Sequence, residues 1–204
     1  MTSVSAAVRS AASTAVIDTE RLTLLPIRVT YADEMAAVLS DPALYAYTGG
    51  TPPTTEELRS RYARQVAGSP DPEVVWCNWM IGIREEAQAG QRSAESFAGS
   101  LAGYVQATIG PDGDGHTAEI AWVVGTARQG RGIATEAARA LVRWLKGQGV
   151  RTLVAHIHPD HGASAAVAKA VGLAPTGERH DGEIRWRWRW TGDQRPAVGG
   201  RAMS

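Results

Sequence analysis

The sequence predicts an α/β chain built on a mixed sheet with helices on both sides. Three observations carry this. Residues 116–125, HTAEIAWVVG, alternate with the two-residue period of a strand: Ile120, Trp122 and Val124 share one face, and Glu119, Ala121 and Val123 the other. Directly downstream, Ala134, Ala137, Ala138, Leu141, Val142 and Leu145 form an apolar stripe at helical spacing, closed by Gly147. Along the chain, strand-like and helix-like segments interleave in the order β-α-α-β-β-β-α-β-α-β, which suits helices packed on a sheet.

Taken in order, residues 1–15 are small and polar and predict a disordered leader. A single domain spans residues 16–192. RLTLLPI, 21–27, is a first strand with Pro26 near its end. Thr30 and Asp33 fit a capping box that opens a helix running to about Leu39. Residues 41–54, DPALYAYTGGTPPT, are turn-rich and predict a loop. Thr54 and Glu57 fit a second capping box, and that helix stops near Gly68. Residues 76–84 read as a strand, 85–96 as a polar connection, and 97–109 as a strand whose glycines mark a bulge or a close approach. PDGDG, 111–115, is a tight turn into the alternating strand. After the striped helix come a buried strand at 152–157, the turn HPDHG, a short helix ending at Gly172, and a last strand, IRWRWRW, at 184–190. Residues 193–204 predict a disordered tail.

The 204 residues carry 21 Lys+Arg and 21 Asp+Glu, a net charge of zero, which argues against a general nucleic-acid partner. Cys77 is the single cysteine, so no internal disulfide can form and a reducing compartment, the cytoplasm, is the natural setting. No run of 18 apolar residues exists, so neither a membrane span nor a membrane partner is expected. The opening segment is too broken in its apolar stretches for a secretory signal.

The stretch RQGRGIATEA, 128–137, bears the chemistry. Two glycines and an arginine precede a helix, so bare backbone N–H groups and the positive end of a helix dipole converge on one point. That arrangement suits a phosphate. GTARQGRG has the glycine spacing of a P-loop, but Arg131 and Gly132 stand where a P-loop needs Lys and Ser/Thr to reach the terminal phosphates and magnesium. GRGIAT begins like a dinucleotide fingerprint but lacks its third glycine and its downstream acidic residue.

Gln129, Gly132 and Ala134 instead match the pattern Q-x-x-G-x-G/A. This resembles the coenzyme A pyrophosphate loop of the GNAT (Gcn5-related) N-acetyltransferases. TERLTLLPI, AEIAWVVGTARQGRGIATEAARAL, HPDHGASAAVAKAVGL and RHDGEIRWRWRW resemble, in order, segments of the RimJ/RimL-like branch, which acetylates ribosomal proteins. The resemblance spans residues 17–191. It implies the GNAT fold, a mixed, mostly antiparallel twisted sheet flanked by helices on both faces. It also implies acetyl-CoA as co-substrate, no metal, and direct transfer to a primary amine without an acyl-enzyme.

By that resemblance the pyrophosphate rests on the backbone of Arg128, Gln129, Gly130, Arg131, Gly132, Ile133 and Ala134. The pantetheine lies beside Val124, and the N–H of Val123 or a neighbour faces the thioester oxygen. Glu119 matches the family's glutamate and is the candidate base, directly or through water. A lysine-type amine, protonated at neutral pH, needs such a base more than an N-terminus does. Ala168 stands where many relatives have a tyrosine acid. Ser164 matches the branch's serine and can hydrogen-bond the sulfur. His161 replaces the family's asparagine and keeps one hydrogen bond to offer the coenzyme.

The acceptor groove is expected between the 45–54 loop and the last hairpin, with Tyr45, Tyr47 and Trp122 as its wall. Nothing in the sequence around Cys77 activates it, so it reads as a buried small residue. His156, His158 and His161 raise the thought of a metal, but no carboxylate pattern completes a site. In the last strand Arg185, Arg187 and Arg189 share one face, and Trp186, Trp188 and Trp190 the other. The tryptophans suit a core or a homodimer seam, and the arginines suit water or an acidic ligand. Two rivals to the transferase stay open: a catalytically weak acyl-CoA-binding module or sensor, and a nucleic-acid binder using the Arg/Trp strand, whose binding would depend steeply on salt.

Overall fold

One eight-stranded sheet organises the chain, in the order β1-β2-β3-β4-β5-β6-β8-β7. The computed structural model describes residues 6–84, 99–112 and 115–189. Its elements are α1 (Ala6–Thr14), β1 (Ile17–Asp18), β2 (Leu22–Pro26), α2 (Ala32–Val38), α3 (Thr55–Ala67), β3 (Val75–Ile83), β4 (Ser100–Asp112), β5 (Gly115–Val124), α4 (Ile133–Gly147), β6 (Thr152–Ile157), α5 (Gly162–Ala170), β7 (Ala174–His180) and β8 (Glu183–Arg189). The pairing is antiparallel throughout except between β5 and β6. The mixed sheet with helices on both faces is therefore as the sequence predicts.

The two-residue period divides the sheet into two cores. On one face the row Leu25, Met80, Tyr104, Val123 lies under Met35 of α2 and Leu58 and Tyr62 of α3. On the other face Trp79, Val105 and Ile120 lie against Leu141 and Leu145 of α4, with Val167 and Ala168 of α5 at the far side. The α4 stripe predicted from sequence supplies most of that contact, and each fully buried leucine or isoleucine contributes about 1.5–3 kcal/mol.

Several local readings hold. Thr54 accepts from the Glu57 N–H at 3.2 Å while Glu57 accepts from the Thr54 N–H at 2.7 Å, so the second capping box forms. The glycines of β4 mark a bulge beside Ala102, and a Cβ at Gly103 would overlap the Val123 carbonyl.

Others need correction. The first capping box does not form: Val29–Tyr31 makes a 3-10 turn and α2 starts without a side-chain cap. The leader is not wholly disordered. Residues 6–14 are helical, Val8 and Ala12 are buried, and Arg9 donates to the carbonyls of Pro72 and Val74. A three- to four-residue spacing of small apolar side chains is enough for a helix once the sheet offers a surface. β1 and β7 are also strands the sequence reading lacked. The tail, Trp190, most of the connection after β3, and two residues of the PDGDG turn lie outside the described residues. Among the described residues no helix is long and apolar enough to cross a membrane.

Candidate active site

Among the described residues the only parallel pair in the sheet is also the shortest of its central ladders. β5 and β6 pair at Thr117–Thr152, Ala118–Leu153 and Glu119–Val154 and then part. β5 runs on beside β4 to Val124, and β6 runs on beside β8 to Ile157, so a wedge opens between them. The Gly125 N–H donates to the Ala102 carbonyl, which sets the alternation of the β4–β5 ladder. Tyr104 and Val123 then face each other as a hydrogen-bonded pair, and the backbone groups of Ile120, Trp122 and Val124 point into the wedge. The Val124 carbonyl there is taken by the Gln129 amide at 2.9 Å.

Beyond β5 the chain makes a 3-10 turn at Thr126–Arg128 and enters α4 through Gly130 and Gly132, both at positive φ, 73° and 77°. Only glycine adopts that backbone without strain. The N–H groups of Arg128 and Gln129 are consumed inside the turn, by Gly125 and Thr126. Those of Gly130 to Ala134 have no partner among the described residues, and α4 has no side-chain cap. Five open donors at a helix N-terminus fit a pyrophosphate.

The loop is held from behind. Glu136, in the first turn of α4, accepts from Thr19 Oγ1 at 2.6 Å and from the Arg21 N–H at 2.9 Å, and pairs with the Arg21 guanidinium at 2.7 Å. The same guanidinium donates to the Arg131 carbonyl at 3.0 Å. Burial pushes the Glu136 carboxyl upward, but these hydrogen bonds outweigh it and hold its pKa below the usual value.

On the α2/α3 face, where α3 stops short, lies a cavity of about 450 Å³. Glu119, Thr108, Val154, His156, Arg179 and Arg185 are among its lining. Glu119 stands at the last paired position before the wedge, and His156 Nδ1 of β6 lies 3.0 Å from its Oε1. The pair bridges the two strands at the point where they part.

A strand pair that splays, an open-donor loop leading into the next helix and a carboxylate at the apex stand together at one end of the sheet. Residues 21–174, more than half of the chain, match the family described as the acetyltransferase (GNAT) domain. The chain belongs to the GNAT acetyltransferase family.

Solved acetyltransferase structures share the fold. A GNAT-family acetyltransferase from Bacillus anthracis is 19% identical, with TM-score 0.65, covering 86% of this chain and 98% of that one. An acetyltransferase from Agrobacterium tumefaciens str. C58 is 24% identical, with TM-score 0.63 and coverages of 87% and 96%. RimL, a ribosomal L7/L12 α-N-protein acetyltransferase in complex with coenzyme A, is 18% identical, with TM-score 0.62 and coverages of 86% and 98%. No curated protein sequence matches the chain significantly.

Glu119 lies where the wedge meets the cavity. Ser164 is half-buried in the first turn of α5, and its hydroxyl bonds no other described residue. Val123 is in the wrong place for an oxyanion donor, because its N–H belongs to the ladder with Tyr104 and its side chain packs under α2 and α3. Trp122 does not wall the cavity: alternation sends it to the opposite face, against the α4 core. The Tyr45 hydroxyl donates to the Leu39 carbonyl at 2.9 Å, while Tyr47 stacks on His161 with ring centroids 4.5 Å apart, and neither lines the cavity. Arg128 points back to Ser100 at 3.2 Å.

His156 is the functional candidate that sequence reasoning missed. Its signal was the register that sets β6 beside β5, which one strand's alternation does not reveal. Burial, with a further contribution from nearby His158, lowers the His161 pKa. Burial raises the Cys77 thiol to about 12, so it is no nucleophile at neutral pH. Among the described residues no group of three His, Cys, Asp or Glu could hold a metal.

Proposed function

We propose that the chain is an acetyl-CoA-dependent N-acetyltransferase of the RimJ/RimL-like type, moving an acetyl group directly to a primary amine. The observation that carries this is Glu119 at the apex of the wedge, opening on one side to the α4 donor loop and on the other to the polar cavity. The GNAT family supplies the chemistry of acetyl transfer from acetyl-CoA. The acceptor is a peptide N-terminus, as for the RimL protein, or a small-molecule amine.

In this reading the pyrophosphate rests on the N–H groups of Gly130 to Ala134. The protonated amine enters through the cavity and gives a proton to Glu119, directly or through one water. Its lone pair attacks the thioester carbon. The oxygen that gains charge is met by the N–H groups of Trp122 and Val124, fixed in the β5 edge before the reaction starts. As the C–S bond breaks, the Ser164 hydroxyl hydrogen-bonds the leaving sulfur, and the thiolate takes up the second proton, which the attacking nitrogen sheds as it becomes an amide. His156 holds the Glu119 carboxylate across the wedge. The tetrahedral step needs no metal ligand and no acyl-enzyme.

The test is thiol release from acetyl-CoA over a panel of N-terminal peptides and small amines. Release with one acceptor class is expected, falling by roughly 10²–10⁴-fold in Glu119→Gln. Buried Ala168, standing where many relatives have their acid, and His161 in place of the family's asparagine give the rival module its footing. A melting temperature raised by CoA, with no thiol release from any amine, would decide for that acyl-CoA-binding module and against the transferase.

A further inference from the structure

The alternating strand β8 has one face that the fold uses and one that it does not. Trp186 is buried in the main core, and Trp188 lies beneath Lys146, whose Nζ is 3.8 Å from the ring centroid. Arg185, Arg187 and Arg189 face the other way, onto the sheet surface that α3 leaves bare. Register puts them in line with the site: Arg185 is opposite His156, Arg187 opposite Val154, and Val154 opposite Glu119. Two strand spacings of about 4.8 Å place the Arg187 Cα about 10 Å from that of Glu119.

Two of the arginines on this surface have no partner among the described residues. Arg185 is paired with Glu178 at 2.5 Å, and among the described residues the Arg179 guanidinium bonds only the Gly182 carbonyl. Arg187 and Arg189 are exposed and make no ion pair or hydrogen bond among the described residues. The carboxylates nearby are Glu119 itself, Glu178, Glu183 at the strand's start, and Asp181 in the turn, 3.2 Å from His180. Three arginines at alternate positions stand about 6.6 Å apart along the strand and repel one another. A ligand anion would relieve that repulsion, and the unpaired positive end of the row, beside the cavity, attracts groups of the opposite sign.

We infer that the acceptor carries an anionic group, which Arg187 and Arg189 engage while its amine lies at Glu119. This inference rests on the transferase reading. In an extended peptide rising about 3.3 Å per residue, an acidic side chain at positions two to four reaches this row. A small amine bearing its own carboxylate offers the same chemistry. Exposed arginines act through steering and modest pairing, so the effect is one of selectivity rather than turnover.

The test uses peptides that share a neutral first residue and carry Asp/Glu, Asn/Gln or Lys at positions two to four, with glutamate and glutamine as a small-acceptor arm. Two quantities are read for each: kcat/KM from thiol release, and Kd in the presence of CoA by fluorescence anisotropy. Acidic acceptors should lead their neutral counterparts by roughly three- to ten-fold at low salt, less at 0.15 M, with the ratio moving toward one in Arg187→Gln/Arg189→Gln. The arm with the larger ratio identifies whether peptide or small molecule supplies the anion. Thiol release with a ratio near one, or a ratio unchanged in the double variant, would overturn the inference and leave the transferase standing. Charge-selective binding lost in the double variant, with no thiol release from any acceptor, would sink the transferase and keep these arginines as an anion site.

Discussion

His156 acts, in this reading, through another residue. Its ring nitrogen lies 3.0 Å from Glu119 Oε1 and fixes a carboxylate that is otherwise more than half exposed, at 57%. An unrestrained glutamate samples several rotamers, and a base out of reach of the amine is no base. Replacing His156 with Ala should lower kcat by about ten-fold, with little change in the KM for acetyl-CoA, since the coenzyme loop is elsewhere. His156→Gln keeps a donor and should retain more of the activity than His156→Ala. Equal losses in both variants would make the contact incidental. His161 gives a pH-dependent prediction of its own. Its folded pKa is lowered, so its contribution to stability is fully present above about pH 6.5 and is lost as pH falls through the folded value. In His161→Asn, the fall in Tm on acidification below about pH 6.5 should be shallower than in the parent chain, as scanning calorimetry across that range would show.

The start of α4 joins three segments that are far apart in sequence. Glu136 is a carboxylate in the first turn of the helix that, in the proposed function, holds a dianion, and unpaired it would oppose that ligand. Arg21 neutralises it and, with the same guanidinium, turns the Arg131 carbonyl back so that the loop's N–H groups face outward. Arg21→Gln should therefore raise the KM for acetyl-CoA by about three- to ten-fold, with kcat less affected. Arg21→Lys should recover little, because a single ammonium cannot span both acceptors. A KM unchanged in initial-rate kinetics would detach the clamp from coenzyme binding. The glutamate is plain in the sequence, but a first-turn position by itself accounts only for a favourable interaction with the helix dipole. The partner sits more than a hundred residues upstream, and no local pattern links them. Similar reasons divide the other elements. α4 and β5 were legible because each alternates against a core, with the right period over ten residues or more. β7, APTGERH, is an edge strand with all but one of its residues exposed, so burial never imposed an alternation on its sequence. Trp122 is expected on the acceptor wall, but the strand's own alternation puts it on the face away from Glu119.

At the scale of the molecule, the cavity face is open and the opposite face is closed, and α1 is part of that closure. It lies along β3 on the α4 side, where Val8 and Ala12 join the main core. Two sets of hydrogen bonds fasten it: Arg9 to the carbonyls of Pro72 and Val74, and the Trp79 indole N–H to the Ala15 carbonyl at 2.8 Å. Trp79 is fully buried and packs edge-on against Trp144 of α4, centroids 4.9 Å apart, so α1 reaches the sheet-to-helix interface through one side chain. Removing residues 1–15 would expose apolar surface and leave that indole donor without its partner, at a combined cost of about 2–5 kcal/mol. For a chain of this length the Tm should fall by roughly 5–15 °C. Trp79→Phe in the full chain removes the donor but keeps most of the ring, and should cost less than the truncation. If thermal unfolding of the truncated chain matched that of the full chain, the helix would be an ornament on a sheet that is stable without it. If the loss is found, residues that read as a loose leader are part of the core against which the wedge is braced.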